Sequence, residues 1–428
     1  FTAVPVLPAN SIDSAHYVDG SIDNAHIADN AIDSDMYVDG SIDTAHIADN
    51  QITLAKMAGG TDGNIISYDA SGDPVAIATG SDGQVLTSTG AGSPPAFESI
   101  STTLGGLTDV SMDITNFVDG LLIQPNSDGS APTTGTLSSA TGNTGIGKST
   151  FTTLTSGTYN TAYGYDALPA LTTGHRNTAV GVDSMKAHTT GNNNTALGYQ
   201  ALLADTTGAQ CVAIGKDALK TNTTAADNTA VGTQSLKLNT TGANNTAVGK
   251  QALEANTTAS DNTAVGHNAM LDNTTGTENT AIGKSALANN TTANENTAVG
   301  FAALDANTTG ARNTAVGKSA MASNSTGSNS TAIGNIALNQ CTGDENIGIG
   351  YAAGKSITSG VRNIAIGNEA YDHSDTESDN LAIGYAAMTA DTAGGTLNVA
   401  VGNYALDALT SGDYNAAFGH NALTSSTD

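Results

Sequence analysis

One short pattern of polar and apolar positions returns every 17 residues through most of the chain. A typical copy spans residues 245–261: it opens with Asn245, Thr, Ala, Val and Gly249, and a second apolar residue, Leu253, follows four positions after the glycine. The pattern occurs seventeen times, and its glycines are Gly147, Gly164, Gly181, Gly198, Gly215, Gly232, Gly249, Gly266, Gly283, Gly300, Gly317, Gly334, Gly350, Gly367, Gly384, Gly402 and Gly419. A fixed period of this size predicts a repeat architecture, in which each unit buries its apolar side chains by stacking on its neighbours.

Each copy predicts one coil of an all-β, elongated rod, either a parallel β-roll or a β-helix. Seventeen residues are too few for a helical hairpin, and the density of Thr, Asn and Gly disfavours helix. Because side chains alternate along a strand, Thr246 and Val248 are expected on one side and Ala247 on the other. Coils that stack at one strand spacing, ~4.8 Å, would form a rod roughly 80 Å long.

The branched residue before each glycine and the apolar residue four positions after it form the predicted core. We expect Val248 and Leu253 to be buried and Lys250 to be exposed, with the same arrangement in the neighbouring coils. The residue between Thr246 and Val248 is Ala or Gly in every copy. This prediction treats it as a small residue that is not part of the core. The predicted core residues are Val180, Leu197, Ile214, Val248, Leu253, Val265, Ile282 and Val299.

An asparagine opens fifteen of the seventeen copies, and Cys211 and Ser330 are the two exceptions. If the coils stack in register, these side chains would form an amide ladder along the rod. The alternative is that Asn only tolerates a left-handed turn at this position. The predicted ladder residues are Asn177, Asn194, Asn228, Asn245, Asn262, Asn279, Asn296 and Asn313.

Large apolar side chains are scarce for a chain of 428 residues. There is no Trp, aromatic residues make up 4%, and there are 49 Gly. A single rod with about two large apolar residues per coil is therefore expected to gain burial from further copies of the chain, most simply as a homotrimer around one axis.

The formal net charge is −27, and it is unevenly distributed. Residues 1–147 hold 18 acidic residues and one basic residue, Lys56, whereas the remainder hold 22 acidic and 12 basic residues. We predict no nucleic-acid partner, because the sequence shows no basic stripe that would neutralise phosphates. We also predict no membrane insertion, because no apolar run approaches ~20 residues.

Three shorter segments precede the predicted rod, residues 141–428. Residues 1–10 are interpreted as a frayed terminus, as a joint to an upstream domain, or as an extended arm that docks on a neighbouring sheet edge. Residues 11–60 repeat with a period of ten and predict a thin stalk of several chains. Residues 61–140 predict a small β collar, because Gly-Asp, Ser-Gly and Pro-Pro turn signals separate short alternating runs.

Within the collar, strands are expected at residues 64–68, 74–78, 84–88 and 96–100, and a short helix is one interpretation of part of residues 104–123. In the stalk, His16, His26 and His46 share one phase of the decad. In a trimer each would form a ring of three imidazoles that could hold a metal, although packing against a turn is the simpler interpretation. No metal or other cofactor is predicted.

Several motifs resemble known fibre proteins. The segment from Asp82 to Phe97 resembles a linker of phage tail fibres, and the decads of residues 11–60 resemble their stalk repeats. The Asn-Thr-Ala-Val-Gly phrase resembles the head repeats of trimeric autotransporter adhesins, which implies a left-handed parallel β-roll and three rolls per head. The unit of that family is nearer fourteen residues, and neither its coiled-coil stalk nor its membrane barrel is recognisable in this chain.

Catalytic and nucleotide-binding motifs have simpler interpretations as parts of the repeat. Residues 142–149 match the P-loop pattern, yet Gly147 is a repeat glycine and no apolar helix is predicted after it.

Two further features of the repeat each have two interpretations. The acidic residues Asp227, Asp261, Glu278 and Glu295 predict a solvated strip, with weak cation binding as the alternative. The six sequons of the form Asn-Thr-Thr would carry sugars only in a host that glycosylates. The sequons begin at Asn222, Asn239, Asn256, Asn273, Asn290 and Asn307.

The two cysteines, Cys211 and Cys341, are expected to lie seven coils apart, ~34 Å, which is too far for a disulfide within one chain.

Together the patterns predict a non-enzymatic, extracellular fibre that attaches to a glycan or protein receptor, with a phage tail fibre as the first hypothesis. The alternatives are a secreted filament or trimeric adhesin joined through residues 1–10, and a glycan depolymerase with an acidic cleft between rods.

Overall fold

A computed structural model describes residues 65–68, 70, 74–82, 84–90, 93–99, 110–114, 116–124, 132–390 and 394–425. The predicted arm, the predicted stalk and its histidine rings lie outside these residues. The chain divides into two compact units, Phe1–Ile100 and Ser101–Asp428, so the boundary falls inside the segment that the sequence predicted as one collar.

The described part of the first unit consists of two antiparallel hairpins. Strand β1 (Ile65–Tyr68) pairs with β2 (Pro74–Ile77), and β3 (Gln84–Thr87) pairs with β4 (Ala96–Ser99). These are the four strands that the alternating runs and turn signals predicted, each within a residue or two of its expected bounds.

The second unit begins with a hairpin that joins directly onto the repeat. Strand β5 (Val110–Ile114) pairs antiparallel with β6 (Phe117–Ile123), and β6 then pairs in parallel with the first strands of the repeat. The short helix considered for residues 104–123 is therefore wrong where the structure describes them. Phe117 and Leu122 are buried in the same core as the coils, so this hairpin belongs to the rod.

Every copy of the repeat forms one coil, and each coil contributes one three-residue strand to a single parallel sheet. Successive strands pair in register, Thr246 with Thr263 and Val248 with Val265, so that identical positions form columns along the rod. The predicted parallel β-solenoid of 17-residue coils is confirmed, and all regular elements in the described residues are strands. After β7 (Ala140–Thr141), they are β8 (Thr144–Ile146), β9 (Thr161–Tyr163), β10 (Thr178–Val180), β11 (Thr195–Leu197), β12 (Val212–Ile214), β13 (Thr229–Val231), β14 (Thr246–Val248), β15 (Thr263–Val265), β16 (Thr280–Ile282), β17 (Thr297–Val299), β18 (Thr314–Val316), β19 (Thr331–Ile333), β20 (Ile347–Ile349), β21 (Ile364–Ile366), β22 (Leu381–Ile383), β23 (Val399–Val401) and β24 (Ala416–Phe418).

The strands face the opposite way from the prediction. Ala247 is fully buried, whereas Thr246 and Val248 lie on the outer face and are partly exposed. Ala247, Ala252 and Leu253 together occupy the interior of the coil. The interior of the coil is narrow. The methyl group of Ala247 fills the space opposite Leu253, and a branched side chain such as that of Val248 would not fit there.

Seven of the eight predicted core residues are consequently wrong, and Leu253 alone is buried as expected. The seven stand on the outer face of the sheet, half-buried or exposed: Val180, Leu197, Ile214, Val248, Val265, Ile282 and Val299. Lys250 is exposed, as predicted.

Tight turns between the strands depend on left-handed backbone conformations. Gly249 has φ 137°, and a Cβ added there would lie 2.4 Å from the carbonyl oxygen of Gly266 in the next coil. Both facts require glycine, because other residues are strained at this φ and their Cβ would collide with the neighbouring backbone. Gln251 and Leu253 also have positive φ, at 59° and 52°.

Candidate functional site

The predicted asparagine ladder is present and fully buried along the rod. The backbone N–H of Asn245 donates to Oδ1 of Asn228 at 2.9 Å, and its side-chain Nδ2 donates to the same oxygen at 3.2 Å. The same Nδ2 also donates to the carbonyl of Ala259 at 2.9 Å. The ladder thus connects successive coils and satisfies polar groups that the turn leaves unpaired.

A second asparagine ladder runs through the sequons, and the sequence analysis missed it. Nδ2 of Asn256 donates to Oδ1 of Asn239 at 2.8 Å and to the carbonyl of Ala259 at 3.0 Å. The signal was available, since Asn returns at this phase in seven consecutive copies: Asn222, Asn239, Asn256, Asn273, Asn290, Asn307 and Asn324. All seven are buried, so none can carry a sugar while the coil is folded.

At a few positions of both ladders a serine or a cysteine replaces the asparagine. In the first ladder, Oγ of Ser330 accepts from the N–H of Asn346 at 3.0 Å, and Sγ of Cys211 donates to the carbonyl of Ala225 at 3.4 Å. In the second ladder, Cys341 occupies the position after Asn324. Both thiols are buried and free, and burial raises the pKa of Cys211 to about 12 and that of Cys341 to about 11.

A histidine and an aspartate take two successive positions in the second ladder. Nδ1 of His188 lies 2.6 Å from Oδ2 of Asp205, and Nε2 of His188 lies 3.0 Å from the carbonyl oxygen of Gly191. Oδ1 of Asp205 accepts from Nδ2 of Asn222 at 2.8 Å, as an asparagine Oδ1 does elsewhere. Both side chains are almost completely buried, so the pair has no contact with solvent or substrate.

The predicted acidic strip lies on exposed turns. Asp261, Glu278 and Glu295 follow one another on consecutive coils, and Asp261 accepts a hydrogen bond from Asn244 at 3.0 Å. Among the described residues, no group of three or more His, Cys, Asp or Glu side chains could hold a metal ion.

The P-loop match is a structural part of the first coil. Its residues form β8 and the turn after it, Gly147 has φ 138°, and Lys148 lies over the ring of Tyr165 at 5.9 Å. A phosphate loop requires a helix after the glycine turn, and the structure places another coil there.

A cavity of about 440 Å³ lies in the first unit, lined in part by Ile77, Gln84, Pro95 and Phe97. The described residues that line it carry no titratable side chain.

Comparisons of the chain with protein families, with curated proteins and with solved structures found no match. In the part of the chain that the structure describes, no helix is long and apolar enough to cross a membrane.

Proposed function

We propose that this chain is a non-enzymatic structural fibre that projects from a virion or a cell surface and mediates attachment, with a phage tail fibre as the first assignment. The observation that carries this proposal is the unbroken parallel register from Thr144 to Phe418. Such a stack sets the distance between its two ends by copy number, ~80 Å for seventeen coils.

The interior of the rod favours a mechanical role. The first buried amide ladder links coils along the rod, and the second adds side-chain bonds between the coils from Asn222 to Asn324, in addition to the sheet hydrogen bonds. The buried pair of His188 and Asp205 is sealed inside a ladder, out of reach of any substrate. These features support a spacer rather than an enzyme.

The outer face of the sheet supports a homotrimer. Leu197, Ile282 and Ile333 are 47%, 42% and 41% exposed, and they belong to a column of branched residues that runs along the rod. An apolar column of this length costs free energy in water, and burying it against two identical rods would remove that cost. In a trimer, this face would bury apolar surface between chains, which a single rod with few large apolar side chains cannot do alone.

Immunogold electron microscopy with antibodies against the rod tests the proposed location. We expect gold on fibres that project from virions. Gold on the cell envelope would transfer the assignment to a trimeric adhesin, and gold confined to the cell interior would contradict the proposal.

A further inference from the structure

One column of exposed side chains differs from the rest of this acidic protein. We define the lysine column as the residues that directly follow the repeat glycines. It contains five Lys, five aromatic residues and two His, and it contains neither Asp nor Glu, in a chain whose net charge is −27. All its members are exposed: Lys148, Tyr165, Val182, Tyr199, Lys216, Thr233, Lys250, His267, Lys284, Phe301, Lys318, Asn335, Tyr351, Asn368, Tyr385, Asn403 and His420.

The coil backbone fixes the spacing of this column. The N–H of Asn268 donates to the carbonyl of Lys250 at 3.1 Å, and the N–H of Ser285 donates to the carbonyl of His267 at 3.0 Å, so each member lies one strand spacing from the next. Four lysines follow one another at intervals of 34 residues: Lys216, Lys250, Lys284 and Lys318. Nζ of Lys216 lies 4.0 Å from Oδ2 of Asp217, which offsets its charge, so the evenly spaced positive charges are those of Lys250, Lys284 and Lys318. Two coils separate neighbouring lysines, which gives a positive charge every ~10 Å.

The central part of the column is free of acidic neighbours in the adjacent columns. On one side lie the branched residues that precede the glycines, and on the other lie Gln251, Asn268, Ser285, Ala302 and Ser319. Because these flanks are uncharged, the column and the two columns beside it carry only positive charge between Lys250 and Lys318, although the chain as a whole is acidic.

Aromatic side chains are placed among the lysines. Nζ of Lys284 lies 5.8 Å from the centre of the Phe301 ring, and Tyr165 with Tyr199 and Tyr351 with Tyr385 repeat the two-coil spacing. Exposed rings of this kind offer flat apolar faces, and lysines between them offer charge-assisted hydrogen bonds.

We propose that the lysine column binds an extended anionic polysaccharide that carries one acidic group on every second sugar. The rise of an extended β-linked sugar is close to the strand spacing, so a carboxylate or sulfate on alternate sugars would meet successive lysines. Nucleic acid fits less well, because its phosphates follow one another at ~3.4 Å along a duplex strand. This inference rests on the proposed function and names the class of receptor.

The test measures binding of hyaluronan oligosaccharides, which carry one carboxylate per disaccharide, to the whole chain at low and high salt. We compare the wild type with the triple variant Lys250→Gln, Lys284→Gln, Lys318→Gln. The matched control is Lys220→Gln, Lys237→Gln, Lys355→Gln, which removes the same charge from lysines that pair with Asp217, Glu254 and Asp372 outside the column.

We expect the column variant to bind roughly tenfold more weakly at low salt and the control to change less than about twofold, with the difference shrinking as salt screens the charges. Neutral chitin oligosaccharides should bind more weakly than hyaluronan. Equal losses in both variants, or tighter binding of single-stranded DNA, would overturn the inference.

The binding experiment and the immunogold experiment can fail independently of each other. Gold on projecting fibres together with no hyaluronan binding would overturn the lysine column as a glycan site and leave the fibre assignment intact. Gold inside the cell would overturn the fibre assignment, whereas the comparison of the two lysine variants would still decide whether the column binds the polymer.

Discussion

Asn245 and Asn256 donate to the same carbonyl oxygen, that of Ala259, through their side-chain Nδ2 atoms at 2.9 and 3.0 Å. The two buried amide ladders therefore meet in every such coil at one backbone group. A coil with so little apolar volume needs these bonds, because they satisfy buried polar groups that water cannot reach.

Replacing Asn245 by Ala should destabilise the rod by about 2–3 kcal/mol, because the N–H of Asn262 loses its acceptor. Denaturant unfolding measures the loss. The control is Thr241→Ala at an exposed position of the preceding turn, for which we expect a change within about 0.5 kcal/mol. Similar effects in the two variants would contradict a stabilising ladder.

The corrected strand orientation makes two adjacent substitutions behave differently. Ala247→Val adds volume inside the coil and should cost about 1–3 kcal/mol, because there is no space for it. Val248→Ala removes a partly exposed side chain and should lower the stability of a single rod much less. If Val248→Ala instead causes dissociation of an oligomer in sedimentation experiments, the outer face is an interface between copies. If Val248→Ala destabilises a monomeric rod more than Ala247→Val does, the valine is buried after all, as the sequence predicted.

The buried pair of His188 and Asp205 should be replaceable only as a unit. His188→Leu leaves Asp205 without its partner and should cost about 3–5 kcal/mol in thermal or denaturant unfolding. The double variant His188→Asn, Asp205→Asn continues the ladder of neighbouring coils and should stay within about 1 kcal/mol of the wild type. A double variant as unstable as the single one would show that the pair has a role that the ladder does not explain.

The two cysteines should make the rod less stable at alkaline pH. Burial raises the pKa of both thiols above the ordinary value of 9.0, to about 12 for Cys211 and about 11 for Cys341. The unfolded chain releases these protons first, so this contribution to stability is complete below pH 9 and falls as the pH rises toward 11–12.

Unfolding at pH 7 and pH 10 measures this loss, and the variant Cys211→Ser, Cys341→Ser serves as the control. The wild type should lose more stability than the variant between the two pH values. Iodoacetamide should leave both thiols of the folded protein unmodified at pH 8, because the thiolate is the reactive form. Rapid alkylation without unfolding would show that the thiols are accessible.

The sequence predicted the coil and the first ladder because both depend on identity between neighbouring copies, which a single chain displays. It did not predict the orientation of the strand, because Val248 is larger and more apolar than Ala247 and hydrophobicity alone favours burying the valine. The constant small residue was the better signal, since only a narrow interior excludes every larger side chain. Asn256 was interpreted as a sequon and Lys250 as a surface charge, because each was considered alone rather than as one phase of the period. Whether further copies cover the outer face is a property of the assembly, and no pattern within one coil determines it.

Electron microscopy of the purified chain, combined with its mass in solution, tests the central claim most directly. We expect discrete trimers that contain a straight rod, ~80 Å long from seventeen coils at one strand spacing each. Compact monomeric particles without such a rod would contradict the fibre.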